Sequence, residues 1–363
     1  MPAVDFKTSE SIRIAGIMSG TSLDGVDIAL CCFYQSNSGI WNYKIEKAET
    51  FPYTKEWKEK LIQAETSSGL ELILLHKEYG EFLGSLINKF IRTEKEKPEY
   101  ISSHGHTIFH QPQKKLTFQL GDGACIAAES GINTVSDFRS FDVALGGQGA
   151  PLVPIGDKLL FGNYDQCLNL GGFANISYDS KETRIAYDIC PVNILLNYVC
   201  QIYFNTDFDN NGAFGKIGNV DLELFNTMNQ LDYFQKSAPK SLGKEWVVEK
   251  IFPLLPNKRL EKHDILRTLY EHIAFQISAV CNAHPGHQIL VTGGGAFNTF
   301  LIELLKSKIN KVVILPEKTV IEFKEALIFA FLGLLRIKNI PNCIATVTGA
   351  REDNLGGTLH IIK

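Results

Sequence analysis

The chain has 363 residues, room for roughly two domains of about 100–200 residues each. With 45% hydrophobic and 21% charged residues it has the composition of a globular protein with a sizeable core, not of a disordered, collagenous or coiled-coil chain. Lys plus Arg (36) nearly balances Asp plus Glu (40), a net charge of −4 that gives no general electrostatic reason to bind nucleic acid or an anionic membrane.

Cys31, Cys32, Cys125, Cys167, Cys190, Cys200, Cys281 and Cys343 are sparse, and none are spaced as CxxC, so neither a disulfide scaffold nor a zinc knuckle is expected. The N-terminal stretch lacks the basic-then-apolar pattern of a signal peptide. The longest apolar run, Ala326 to Leu335, is too short to span a bilayer and reads as a core helix. The expectation is a cytoplasmic protein.

In chain order, Ser11–Gly16 and Val26–Phe33 read as strands of a β-hairpin around the turn-rich Met18–Gly25. Apolar residues at three- and four-residue steps predict a helix over Leu70–Phe90, followed by a strand at Tyr100–Ser103 and a helix at Asp122–Ser130. The glycine-rich Gly146–Pro151 is a hinge candidate. Gln166–Ser177 is β-rich around a Gly171-Gly172 turn, and Tyr187–Pro191 leads into a helix at Asn193–Phe204. Further helices are expected at Asp221–Asn229, Asp264–Asn282, Asn298–Lys308 and Lys324–Leu335, with strands at Gln288–Val291 and Lys311–Leu315. Each half thus opens with a hairpin and then alternates helices with strands, a duplicated α/β layout with a cleft between the halves.

Three segments place glycines and small polar residues where a strand gives way to a turn. The first is Gly16–Asp27, holding Gly20, Thr21, Ser22, Leu23, Asp24, Gly25, Val26 and Asp27. Glycines let backbone N–H groups close on an anion, and hydroxyls add donors. Carboxylates beside a phosphate call for a cation between them, so Asp24 and Asp27 suggest Mg²⁺, with Asp24 holding it through water. The second is Asn169–Asn175, with Gly171 and Gly172. The third, Val291–Asn298 with Gly293, Gly294 and Gly295, reads as a strand, a glycine turn and a helix start whose free N–H groups would favour an anion. A single turn of this kind is more often a plain turn; three spread over both halves of one chain are what point to a nucleotide cleft. The absence of GxxxxGK[ST], or of GxGxxG with its acidic follower, disfavours Walker-type ATPases and Rossmann dehydrogenases.

The blocks Met18–Asp27, Ser103–His110, Gln119–Asp122, Asp137–Arg139, Gly146–Pro154, Asn169–Asn175, Asp188–Asn193, Pro239–Ser241, Gly293–Asn298, Glu325-Ala326 and Thr348–Ala350 together resemble the anhydro-N-acetylmuramic acid kinases of the hexokinase, chaperone-ATPase and actin superfamily. The resemblance runs nearly end to end. It implies two ribonuclease H-like domains, 1–150 joined by 346–363 and then 151–345, with ATP and an amino sugar bound between them and a homodimeric assembly. It implies conversion of 1,6-anhydro-N-acetylmuramic acid, ATP and water to N-acetylmuramic acid 6-phosphate in cell-wall recycling. By motif, Gly20 to Asp27, Asn169, Gly171, Gly172 and Gly293 to Gly295 would contact ATP. His104, Gln119, Asn193 and Glu325 would line the sugar site. Asp188 matches the catalytic aspartate, the base that activates water; on the residues alone it could be a turn or capping Asp.

The chain departs from the family pattern in places. Thr-Gly-Pro-Gly-Asn after the aspartate is here Ile189-Cys190-Pro191-Val192-Asn193, which suggests a narrower pocket. Ser-Thr-Gly-Arg is Ser241-Leu242-Gly243-Lys244, and the Gln of Ser-His-Gly-Gln is His106. These changes keep open a kinase of another anhydro or amino sugar and, further off, a non-catalytic nucleotide-binding regulator. His104, His106 and His110 lack an acidic or Cys partner nearby, so zinc is not expected. Nothing in the sequence pairs Cys190 with a base that would make it a nucleophile.

Overall fold

A computed structural model describes residues 11–20, 23–181, 183–238, 240–255 and 260–362. They form two units, one running up to Leu160 and resuming at Phe323, the other spanning Phe161–Glu322.

The first unit is built on β1 (Ile12–Ser19), β2 (Gly25–Gln35), β3 (Trp41–Pro52), β4 (Tyr100–Gln111), β5 (Leu116–Leu120), β6 (Asn133–Ser136) and β12 (Thr358–His360). Its sheet order is β12-β6-β4-β1-β2-β3, with β5 paired to β4. The first three strands form an antiparallel meander, while β4 runs parallel to β1 and β6 parallel to β4. The core of β1 (Ile14, Ala15 and Ile17, all buried) is apolar on both faces, as a central strand flanked by a parallel neighbour requires. The helix Gly69–Phe90 starts at a capping box between Ser68 and Glu71 and buries Tyr79, Gly80, Leu83, Gly84, Ile87 and Phe90. Leu70 and Leu74 are exposed, because the helix packs through its C-terminal half.

The second unit repeats the plan with β7 (Gln166–Leu170), β8 (Phe173–Ser180), β9 (Thr183–Pro191), β10 (Gln288–Thr292) and β11 (Val312–Ile314), in the order β11-β10-β7-β8-β9. Again a three-stranded antiparallel meander is extended by two parallel strands. Both sheets therefore have the ribonuclease H-like order 3-2-1-4-5, the first with two strands added, β12 at its edge and β5 paired to β4. The helix Lys262–Ala283 supplies Ile265, Leu269, Tyr270, Ile273 and Ile277 to the core of the second unit.

The unit bounds differ from the expected 150/151 and 345/346. The helix Val153–Leu160 and the chain from Phe323 belong to the first unit, since Gly156 lies against Ile328 and Gly16 against the backbone of Ala326 and Ala330. The helix Lys318–Ile337 loses helical geometry at Phe323 (φ −115°, ψ 16°), where the chain passes from one unit to the other. The glycine-rich Gly146–Pro151 is not such a crossing. Asp142 accepts from Gly149 N at 2.8 Å and Gln148 N donates to Thr348 O at 2.8 Å, so the segment is pinned inside the first unit.

Candidate functional site

In the first unit the chain leaves β1 at Ser19 and re-enters the sheet at Gly25. Thr21 and Ser22 lie outside the described residues. Leu23 closes the turn by donating its N–H to Gly20 O at 3.4 Å and takes a left-handed backbone (φ 58°). Asp24 is exposed, and its Oδ1 accepts from Gly25 N at 3.0 Å; Asp27, on β2, accepts from Thr50 Oγ1 at 2.5 Å. Val26 is fully buried and Leu23 packs on the same core, so either could give a ligand only its backbone.

The glycine at Gly16 lets β1 approach the helix that carries Glu325: a Cβ there would fall 2.0 Å from Ala326 O. Glu325 reaches solvent, yet the protein crowding it raises its pKa; Lys324 lowers it, Asp27 raises it and Arg139 lowers it. Lys324 itself forms a buried ion pair with Asp157 at 2.7 Å. Arg139 donates from Nε and Nη2 to His104 Nε2 (3.0 and 2.9 Å) and from Nη1 to Gly149 O (3.2 Å), and desolvation lowers its pKa to about 10. His104 is buried over Phe329 and is held neutral by burial and by Arg139. Gln119 turns back on its own hairpin, donating to Thr117 Oγ1 at 2.9 Å and Thr107 Oγ1 at 3.4 Å. His104, His106 and His110 each have a partner of their own, in Arg139, Ser19 and Thr117 respectively.

In the second unit the structure brings the other two glycine turns together. Gly293 has φ 83°, and a Cβ on it would lie 2.6 Å from Asn169 Oδ1; one on Gly295 would lie 2.8 Å from Leu170 Cβ. Asn193 Nδ2 donates to Leu170 O at 3.2 Å and ties the helix Asn193–Phe204 to the same turn. Gly172 is exposed with nothing within 4 Å of a Cβ built on it, and beside exposed Gly294 only Asn193 Nδ2 (3.8 Å) comes that close. Two open glycines on adjoining turns form a cradle that larger residues would fill, which fits a polyphosphate.

The expected helix start with free N–H groups at Gly293 is not what forms. A 3₁₀ turn, Gly294–Phe297, intervenes, and the helix Thr299–Lys308 is capped by Asn298, which accepts from Leu301 N at 3.1 Å. The helix Asn193–Phe204 likewise spends its first amides on the glycine turn: Val192 N donates to Gly172 O at 2.8 Å and Asn193 N to Gly171 O at 3.3 Å.

Asp188 sits on β9 opposite Asn175, beside a β-bulge at Ile189 of the kind that re-aims a side chain. Its Oδ2 accepts from Leu242 N at 2.9 Å, its N–H donates to Lys240 O at 3.2 Å, and Tyr233 Oη donates to its carbonyl oxygen at 2.7 Å. Burial raises the Asp188 pKa above the usual 3.8, and the Leu242 N–H lowers it in part. Lys240 lies 4.6 Å from the Tyr233 ring centre and donates to Tyr233 O at 3.2 Å. Cys190 and Val192 do not narrow a pocket. Both are fully buried in the hydrophobic core of the second unit, together with Ile189.

The sequence model of the anhydro-N-acetylmuramic acid kinase family matches residues 12–361. The chain belongs to the anhydro-N-acetylmuramic acid kinase family. It is 33% identical over 361 residues to the anhydro-N-acetylmuramic acid kinase of Hydrogenovibrio crunogenus, covering 95% of this chain and 97% of that one. It is 35% identical to the enzyme of that name from Vibrio vulnificus strain CMCP6 (95% and 97%) and 34% identical to that from a Sulfurovum species (96% and 99%).

For this anhydro-N-acetylmuramic acid kinase family member, sequence motifs named Asp188, Leu242, His104 and Arg139, but not Tyr233, the bond from Leu242 N to Asp188 or the pairing of His104 with Arg139. The Asp137–Arg139 and Pro239–Ser241 blocks were the signals that could have led there. Among the described residues no group of three or more His, Cys, Asp or Glu converges to hold a metal. The exposed carboxylate of Asp24 fits an ion such as Mg²⁺ that keeps most of its waters and takes its other ligands from phosphate.

Proposed function

We propose that the protein uses ATP and water to convert 1,6-anhydro-N-acetylmuramic acid to N-acetylmuramic acid 6-phosphate in peptidoglycan recycling. The observation that carries this reading is the setting of Asp188. One carboxylate oxygen is held by a backbone N–H, Oδ1 has no protein donor among the described residues, and burial makes the carboxylate more basic.

In an anhydro sugar O6 is tied to the anomeric carbon. A water held at Asp188 Oδ1 attacks that carbon and gives its proton to the carboxylate as the C1–O6 bond breaks, with the oxocarbenium character of glycoside hydrolysis. O6 takes the γ-phosphoryl group, ADP leaves, and Asp188 returns its proton to solvent. Gly20 to Asp27, of which Thr21 and Ser22 are undescribed, together with Asn169, Gly171, Gly172 and Gly293 to Gly295, serve the nucleotide. Glu325, His104, Gln119 and Asn193 serve the sugar. Mg²⁺, held by Asp24 through water, would neutralise charge on the phosphates.

The case for a different sugar rested on Ile189, Cys190, Val192 and Leu242; the first three are buried in the core of the second unit, which weakens their part of it. Among the described residues no helix is long and apolar enough to cross a membrane, and all eight cysteines are free thiols, which supports a reducing, cytoplasmic setting. The homodimer rests on the family resemblance alone. Incubation with ATP, Mg²⁺ and the anhydro sugar, following both ADP and sugar phosphate, tests the reading. Equal amounts of both products are expected; ADP without sugar phosphate contradicts it.

A further inference from the structure

Asp188 lies on β9, the last strand in its sheet, where the outer edge has no further strand to pair with. There its N–H donates to Lys240 O at 3.2 Å, and its carbonyl oxygen accepts from Tyr233 Oη at 2.7 Å. Lys240 closes the circuit: its Nζ donates to Tyr233 O at 3.2 Å and lies 4.6 Å from the Tyr233 ring centre. The backbone of Asp188 is thus held from outside the sheet, beside a bulge where the ladder is locally disrupted.

Tyr233 is itself firmly seated. It is buried, its ring packs on Trp246 with centres 5.4 Å apart, and Phe234 beside it meets Trp246 at 5.9 Å and His272 at 4.9 Å. A Phe would pack in this cluster as well as a Tyr, so what the hydroxyl adds is its bond to the Asp188 carbonyl. Burial, and then the nearby Asp188, push the phenol pKa up, which keeps it a donor. The bond reaches the main chain of Asp188. The carboxylate has its own donor in Leu242 N, and that donor together with burial sets its basicity.

We propose that Tyr233 is a positioning residue for the base: through the Asp188 carbonyl it fixes the strand at the bulge and so aims Oδ1 at the attacking water, while Lys240 holds Tyr233 in place. The inference rests on the reading of Asp188 as the base. A base must sit within hydrogen-bond reach of its water, and a misplacement of about 1 Å can cost about 10²-fold in rate.

Sugar phosphate formation by the wild type, Tyr233→Phe, Asp188→Asn and the double variant tests the proposal, with KM values and the pH–kcat profile measured for Tyr233→Phe. Tyr233→Phe should lower kcat about tenfold, keep the KM for ATP within about twofold, and leave the acid limb of the profile where it is. In the Asp188→Asn background the same change should have no further effect, because no base is left to aim. Lys240→Met keeps the stem over the ring and loses the donor; it should lower kcat about threefold and add nothing to Tyr233→Phe.

A kcat for Tyr233→Phe within about twofold of wild type, or losses that multiply in the double variant with Asp188→Asn, overturn the positioning role and leave Asp188 as the base. An acid limb moved to higher pH in Tyr233→Phe overturns it too, since Tyr233 would then set basicity and not aim. A Lys240→Met loss that multiplies with that of Tyr233→Phe overturns the part given to Lys240. Wild-type turnover in Asp188→Asn overturns the base itself, whatever Tyr233→Phe does.

Discussion

The backbone N–H of Leu242 donates to Oδ2 of Asp188 across 2.9 Å, joining a loop to a strand residue 54 positions earlier. Because the contact is made by the main chain, the identity of the side chain at 242 is free, and a Leu serves there as well as a hydroxyl residue. Removing the N–H with Leu242→Pro should raise the Asp188 pKa, since that bond opposes the effect of burial. The acid limb of the pH–kcat profile should then move to higher pH and kcat at neutral pH fall about tenfold, while Leu242→Ala matches wild type. A profile unchanged in the Pro variant would show that the bond does not tune the base.

Asp188→Asn separates stability from catalysis. A carboxyl whose folded pKa lies above 3.8 contributes stability below that pH, and the contribution is lost as pH rises through the folded value. At pH 7 the wild type ionises a partly buried group and the Asn variant does not. The variant should therefore have an equal or higher Tm at pH 7, with the difference gone below about pH 4. A much lower Tm at pH 7 would show that the ionised form is stabilised.

The fold was legible where local chemistry is strong. Both glycine-turn hairpins and the helix Asn193–Phe204 follow from periodicity and from breakers such as Pro191. The strand Trp41–Pro52 was not legible: as an edge strand it alternates Lys, Glu and Thr with few buried positions. The site was legible only as motifs. Arg139 meets His104 from 35 positions away, and a backbone donor at Leu242 leaves no mark in the residue alphabet. Burial of Cys190 and Val192 reverses what their bulk suggested in a linear reading, since the direction of a side chain beside a bulge is set by the sheet.

The two kinds of glycine in the second unit should respond differently. Gly172→Val meets open space and should leave Tm unchanged while raising the KM for ATP about tenfold or more. Gly293→Ala meets Asn169 and Leu170 at a positive φ and should cost about 1–3 kcal/mol of stability. Thermal melts beside ATP titrations check both; a destabilised Gly172→Val variant with unchanged KM would place that glycine in the fold alone.

Lys324 and Asp157 form a buried pair one residue before Glu325. Lys324→Met takes the cation away from a buried carboxylate and should cost about 3–5 kcal/mol, whereas Lys324→Met with Asp157→Leu should recover most of it. Denaturant unfolding of the two single variants and the double variant measures the coupling; additive losses would mean that the two groups act independently.

Arg139→Lys keeps the charge but cannot serve His104 Nε2 and Gly149 O together. A loss of about 1–3 kcal/mol is expected from the stranded acceptors, with a higher KM for the sugar and little change in that for ATP. Equal effects on both KM values would mean that the damage spreads beyond the Glu325 side of the unit.

The central claim is that Asp188 is the base that activates water. Its most direct test is to measure sugar phosphate formed from ATP and 1,6-anhydro-N-acetylmuramic acid by the wild type and by Asp188→Asn, with ATP binding measured for both. The account predicts equal ATP affinity and a fall in product formation of about 10²–10⁴-fold in the variant. Turnover within a few-fold of wild type in Asp188→Asn would contradict it.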